Sequence, residues 1–171
     1  ETFPTEIVWD RPAPQFKPVT GLEDIRLFSF EGGLHFSACV REQNAQGWCE
    51  QAVGRLAHAD NDKWSVGDWH VMRPPGRLHE KNWMPWAGAH RVRFVYRLGT
   101  TVDAQGVHID TMASAFNIDA ISGGSQVIRF AGEWLAVVHE SRLRPDGTRY
   151  YQHRFALMDD SGALHKLSMP F

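Results

Sequence analysis

Short apolar runs that alternate with glycine-containing turns follow one another along most of the chain. This alternation is typical of β-strands, and no long stretch shows the 3.6-residue period of an amphipathic helix. The predicted strands are Ile25–Phe30, Leu34–Arg41, Glu50–Leu56, Trp64–Met72, Val92–Leu98, Val107–Met112, Ser125–Phe130, Trp134–Glu140, Tyr150–Met158 and Leu164–Leu167. The pattern therefore predicts an all-β fold.

Turns, breaks and loops separate these runs. Residues 1–20 contain four prolines and are predicted to form an irregular arm or connection with a short strand at Ile7–Trp9. A break is expected where two prolines precede a glycine, at 74–76, and Ser114–Ile121 is predicted to be a loop or one helical turn. The predicted turns are at 31–33, 60–62, 87–90, 131–133, 146–147 and 159–162.

A unit of two strands around a glycine turn recurs along the chain. The turn glycines Gly33, Gly88 and Gly132 are 55 and 44 residues apart. All-β repeats of about 40–50 residues indicate propeller blades. The sequence therefore predicts a partial β-propeller over residues 21–171, with blades at about 21–73, 80–121 and 122–171.

Charged residues open the first strand, which then becomes apolar. Residues two apart in an extended strand face the same side, so Asp24 and Arg26 are expected to point the same way. Arg26 would then keep the carboxylate ionised or orient a substrate. The alternative is a surface ion pair beside a strand.

Similar polar groups occur at the start of each predicted blade. The first strand of a blade lines the central channel, so Asp24 and Arg26, Lys81 and Asn82, and Ser125 and Gln126 would meet around one funnel. Such a ring suits a polyhydroxylated ligand, with or without phosphate, and Trp83 and Trp86 would add stacking surface. The alternative is that the polar ends only cap strands and that both tryptophans belong to the core between blades.

Composition narrows the class of protein. The chain has 171 residues, 43% of them hydrophobic, and a net charge of −2, which gives no reason to expect nucleic acid or an anionic membrane as a partner. No apolar run approaches the roughly 20 residues that span a bilayer, and no signal-peptide pattern is present. We expect a cytoplasmic protein. The chain does not begin with Met, which suggests a processed chain or a fragment.

Cysteine and histidine indicate neither a metal nor another cofactor. Cys39 and Cys49 flank a predicted hairpin loop, where two free core thiols are expected although a disulfide is geometrically possible. The histidines are scattered without ligand spacing.

Five segments together resemble a known group of enzymes. They are Gly21–Leu27, Glu80–Trp86, Gly123–Gln126, Val138–Glu140 and Tyr150–Phe155. The chain from about residue 20 onward resembles the five-bladed propellers of the β-mannoside phosphorylase group (glycoside hydrolase family 130). It is still more similar to related bacterial propeller domains found beside glycosyltransferase domains, and to β-1,2-mannosyltransferases of the same fold.

The resemblance implies an inverting transfer of a glycosyl group with Asp24 as general acid. It implies that Arg26, Arg41, Lys81 and His139 hold phosphate or a sugar phosphate. The remaining candidate substrate-binding residues are Glu23, Asn82, Trp83, Ser125, Gln126 and Glu140. Glu140 could also serve as the base that a hydrolase needs.

Five blades need about 250–300 residues, and three are visible here. The chain is therefore expected to be a fragment, a chain completed by a second copy, or a short member of the group. Two other functions stay open at this point. One is a non-catalytic glycan-binding module attached to a glycosyltransferase, which would bind through Trp83 and Trp86, and the other is a scaffold that binds protein.

Overall fold

A computed structural model describes residues 7–59, 63–72 and 79–171, and it confirms an all-β fold. The chain forms two compact units, residues 1–81 and 82–171. The predicted turn at 60–62 and the predicted break at 74–76 lie outside the described residues. No helix with the length and hydrophobicity needed to cross a membrane occurs in the described part of the chain.

The described residues of the first unit form a five-stranded sheet in the order β1-β5-β4-β3-β2. Its strands are β1 (Ile7–Trp9), β2 (Glu23–Phe30), β3 (Gly33–Val40), β4 (Glu50–Ala59) and β5 (Lys63–Met72). Strands β2 to β5 form an antiparallel meander, and β1 joins its edge parallel to β5. The short strand predicted at Ile7–Trp9 is therefore confirmed.

An aromatic contact fixes β1 to this sheet. Trp9 and Trp69 meet edge to face at 5.0 Å, and Trp69 Nε1 donates a hydrogen bond to the Asp10 carbonyl at 3.2 Å. Both rings pack against a small buried cluster that contains Phe36 and Ala38. Residues 7–10 of the predicted arm thus pack on the sheet of the first unit.

The second unit contains two sheets. The first sheet follows chain order and consists of β6 (Met84–Ala87), β7 (Val92–Arg97), β8 (Thr100–Val102) and β9 (His108–Thr111). The second sheet consists of β10 (Ile121–Gly123), β11 (Ile128–Phe130), β12 (Glu133–Leu143), β13 (Arg149–Met158) and β14 (Leu164–Leu167). Both β10 and β11 pair with β12, so together they occupy one interrupted strand position.

One apolar core joins the two sheets of the second unit. It includes Trp86 and Val95 from the first sheet and Val138 and Met158 from the second. Trp86 also makes a parallel bridge to Val127, whose amide donates to the Pro85 carbonyl at 2.9 Å. Strand β6 therefore runs beside the interrupted strand β10/β11.

Three four-stranded antiparallel meanders thus follow one another, within residues 23–72, 84–111 and 121–167. The first lies in the first unit, and the other two lie in the second. The all-β content expected from the sequence is confirmed, whereas β6, β8 and β10 lie outside the strands predicted from it. The arrangement of the meanders as propeller blades remains a prediction.

Candidate functional site

The first residues of β2 depart from a regular strand. Asp24 has a φ of 52°, and the pairing of β2 with β3 shifts between Glu23 and Arg26. Such a bulge adds a residue on one side and breaks the two-residue alternation of side chains. Glu23 and Asp24 are exposed, whereas Arg26 is only 7% exposed. The expectation that Asp24 and Arg26 share one face of a regular strand is corrected accordingly.

Arg26 still lies close to Asp24. Its Nη1 donates a hydrogen bond to the main-chain carbonyl of Asp24 at 3.0 Å. Burial lowers the pKa of Arg26, and the negative charge of Asp24 opposes that shift. An exposed carboxylate thus lies beside a mostly buried cation, and the cation also holds the carboxylate's own backbone.

Glu42 anchors the segment that leads into β2. Its side chain is fully buried, with Oε1 2.5 Å from Arg11 Nη1 and Oε2 accepting from the Gly21 amide at 3.1 Å. Its carbonyl accepts a hydrogen bond from the Gln15 amide at 2.8 Å. Glu42 therefore binds three residues in the segment ahead of Asp24, which are Arg11, Gln15 and Gly21. Glu42 could not be predicted from the sequence, because nothing there distinguishes this carboxylate from one in any polar loop.

Arg41 and Lys81, the other cations predicted in the first unit, differ in their surroundings. Arg41 is half-buried, donates through Nε to the Gly47 carbonyl at 2.8 Å, and lies 5.6 Å from the centre of the Phe16 ring. These contacts hold the loop between β3 and β4. Lys81 is exposed at the end of the first unit.

In the second unit, Ser125 holds the interruption between β10 and β11. The amides of Gly124 and Ser125 both donate to the Val137 carbonyl at 3.0 Å. Ser125 Oγ accepts a hydrogen bond from the Val137 amide at 2.9 Å and donates to the Gln126 carbonyl at 2.7 Å. The Ser125 hydroxyl therefore stabilises the local backbone. The next residue, Gln126, is half-buried.

Asn82 and His139 lie against the same interruption. A side-chain carbon on Gly123 would collide with the Asn82 carbonyl, and Asn82 itself has a φ of 66°. A carbon placed on Gly124 would lie 3.7 Å from His139 Nδ1. Asn82, Ser125 and His139, three candidates from distant parts of the sequence, thus meet around two glycines.

Replacing Gly123 with alanine is expected to destabilise the second unit. The added methyl would meet main chain at Asn82 and Met84 Cγ at 2.6 Å, and overpacking of this kind typically costs about 1–3 kcal/mol. Gly88→Ala is the control in the same unit, because its methyl would meet only the Arg91 carbonyl, at 3.4 Å. Urea unfolding of both variants tests this, and equal midpoints would contradict it.

Glu140 is held between two arginines. Its Oε2 accepts from Arg142 Nη2 at 2.9 Å and its Oε1 from Arg154 Nε at 2.8 Å. Arg154 also donates to the Ser168 carbonyl at 2.9 Å. The hydrogen bonds from Arg142 and Arg154 lower the pKa of Glu140, against the opposing effect of its burial. Glu140 is therefore a firmly ionised acceptor and a weak base.

Several neighbours of His139 and Glu140 are not among the site residues predicted from the sequence. Arg142 and Arg154 bind Glu140, while the rings of Tyr151 and His153 lie 5.5 and 6.1 Å from the ring of His139. Two-residue alternation along the hairpin would have found them. Residues 140, 142 and 154 share one face of β12 and β13, and residues 139, 151 and 153 share the other.

Trp83 and Trp86 have packing roles. Trp83 is 0% exposed and meets Tyr96 edge to face at 5.2 Å. Trp86 is 1% exposed, meets Trp134 at 5.2 Å, and has the Arg93 guanidinium 3.4 Å from its ring centre. Neither indole presents a free face to a sugar, which corrects the expected stacking platform. The alternative from the sequence, a core position, is what the structure shows.

The predicted ring of polar groups is divided between the two units. Glu23, Asp24, Arg26, Arg41 and Lys81 belong to the first, and Asn82, Trp83, Ser125, Gln126, His139 and Glu140 belong to the second. Among the described residues, no three histidine, cysteine or acidic side chains form a group that could hold a metal ion. Neither a protein-family model nor a curated protein matches this chain. The resemblance to the mannoside phosphorylase group is therefore still an expectation.

Proposed function

We propose that this chain belongs to a carbohydrate-active propeller that transfers a glycosyl group, mannosyl by resemblance, to or from phosphate or a sugar with inversion. Asp24 acts as the general acid. The observation that supports this most is the bulge at the start of β2, where a non-glycine residue with a φ of 52° carries an exposed carboxylate beside mostly buried Arg26. Bulges and left-handed non-glycine residues are concentrated at functional sites.

The state of Glu140 favours transfer over hydrolysis. An inverting hydrolase needs a carboxylate base to activate water, and a good base has a pKa near the working pH. The two arginines lower the pKa of Glu140, so it is poorly suited to that role. Phosphate arrives already ionised and needs cations to hold it. Arg26 and Lys81, in the unit that also carries Asp24, are the candidates.

The reaction itself is the test of the proposal. The chain is incubated with a β-linked mannobiose and inorganic phosphate, and in reverse with α-mannose 1-phosphate and mannose, while ³¹P and ¹H NMR follow the products. Inversion predicts α-mannose 1-phosphate from the β-mannoside. Mannobiose binding in a calorimeter without turnover would favour the glycan-binding module. If neither turnover nor mannobiose binding is found, the enzyme and the glycan-binding module are both contradicted. The protein-binding scaffold is then the function that remains.

A further inference from the structure

Two cysteines lie beside the start of β2 and have no part in the proposed reaction. Cys39 is 2% exposed in β3, and Cys49, just ahead of β4, is partly exposed. Both are free thiols, and Cys49 is among the neighbours that raise the pKa of Cys39. The register of the hairpin, in which Cys39 faces Gln51 and Val40 faces Glu50, places Cys49 diagonally across from Cys39.

The backbone on both sides of this thiol pair is fixed. Cys39 pairs with Glu23 of β2 on one side and with Gln51 of β4 on the other. The Cys49 amide donates to His79 Nδ1 at 3.2 Å, and its carbonyl accepts from the Glu80 amide at 2.7 Å. Joining the two sulfurs would therefore cost little conformational freedom.

We propose that Cys39 and Cys49 are a redox-active pair that forms a reversible disulfide by exchange with a small-molecule disulfide of the glutathione class. The bond encloses residues 40–48, the loop that carries Arg41 and Glu42. Because Glu42 anchors the arm and Arg41 holds the loop, the disulfide stiffens the segment that supports the start of β2. This inference does not depend on the proposed function.

The order of the two steps follows from the partial exposure of Cys49 and the raised pKa of Cys39. The Cys49 thiol loses its proton and attacks one sulfur of the oxidant, which leaves as a thiolate and gives a mixed disulfide on Cys49. Cys39 then loses its proton to solvent and attacks the Cys49 sulfur, releasing the second thiolate. Two electrons pass from the cysteine pair to the oxidant, which becomes two thiols.

Cys39 is suited only to the second step. Burial and the neighbouring Cys49 raise the pKa of Cys39 to about 12, so its thiolate is rare before the mixed disulfide forms. In the reverse direction, a reductant reaches the partly exposed Cys49 sulfur and must displace Cys39. A thiol of high pKa is a slow leaving group, so the bond should be reduced slowly once formed.

To test this, the full chain is equilibrated in a series of buffers in which the ratio of oxidised to reduced glutathione increases. The samples are quenched with acid, unfolded, alkylated with N-ethylmaleimide and mapped by mass spectrometry. We expect a monomer lighter by two hydrogens, with one peptide linking residues 39 and 49. The oxidised chain should unfold in urea with an equilibrium constant lowered roughly 100-fold, as for closure of a loop of this length.

Single variants separate the two thiols. Cys39→Ala should accumulate the glutathione adduct on Cys49, because the second step is lost. Cys49→Ser should stay unmodified while folded, because Cys39 is buried. Alkylation of both thiols of the unsubstituted chain at every glutathione ratio would overturn the proposal. A stable adduct on its Cys49, or a disulfide-linked dimer, would overturn it equally.

Discussion

Asp24→Asn should lower the turnover of the mannosyl transfer by roughly 100- to 10,000-fold, the usual contribution of a general acid. The amide cannot donate the proton that the leaving oxygen requires, while it keeps the size and the hydrogen-bonding geometry of the carboxylate. Asparagine also tolerates a left-handed backbone, so the φ of 52° at this position adds no strain. The KM for the glycan should change much less than kcat.

Asp68→Asn is the matched control for this substitution. Asp68 is also exposed, has a φ of 47°, and lies in β5 of the same unit. The same chemical change in the same backbone conformation is made there, away from the start of β2. Steady-state kinetics measure the turnover of both variants, and their unfolding midpoints verify that both are folded. Unchanged turnover in Asp24→Asn, or an equal loss in Asp68→Asn, would exclude Asp24 as the acid.

The long strands of this chain could be predicted from the sequence because their alternation is regular. Tyr150–Met158 was predicted within one residue of β13, and Leu164–Leu167 coincides with β14. The short strands were harder to predict. Thr100–Val102 and Ile121–Gly123 have three residues each, too few to show a period. Met84–Ala87 contains a proline, which argues against a strand in the interior of a sheet.

The candidate site could be predicted in part. The sequence located the polar residues at strand starts, and the structure brings Asn82, Ser125 and His139 together around Gly123 and Gly124. Alternation alone could not predict the bulge at Asp24, because a left-handed aspartate leaves no signal in a hydrophobic pattern. The burial of Trp83 was open for a different reason, since an indole is equally suited to a core and to a sugar platform.

Removing the Arg11 guanidinium should destabilise the first unit by about 3–5 kcal/mol, the typical cost of leaving a buried charge without its partner. Glu42 has no exposed side-chain surface, and Arg11 Nη1 lies 2.5 Å from its Oε1. Arg11→Met keeps an unbranched side chain against the Trp9 ring, over which the guanidinium now lies at 4.4 Å. Most of the loss should therefore come from the unpaired carboxylate, and Arg11→Met combined with Glu42→Gln should recover part of it.

Arg129→Met is the matched control, because Arg129 also lies over a tryptophan and binds a carboxylate. Its guanidinium is 4.9 Å from the Trp134 ring centre and 2.6 Å from Asp160 Oδ1, but the Asp160 side chain is 79% exposed. An exposed pair is worth about 0–1 kcal/mol, so this variant should lose little. Urea unfolding measures both. Equal losses of unfolding free energy in Arg11→Met and Arg129→Met would mean that the burial of Glu42 does not determine the loss. Another residue would then have to anchor the arm ahead of Asp24.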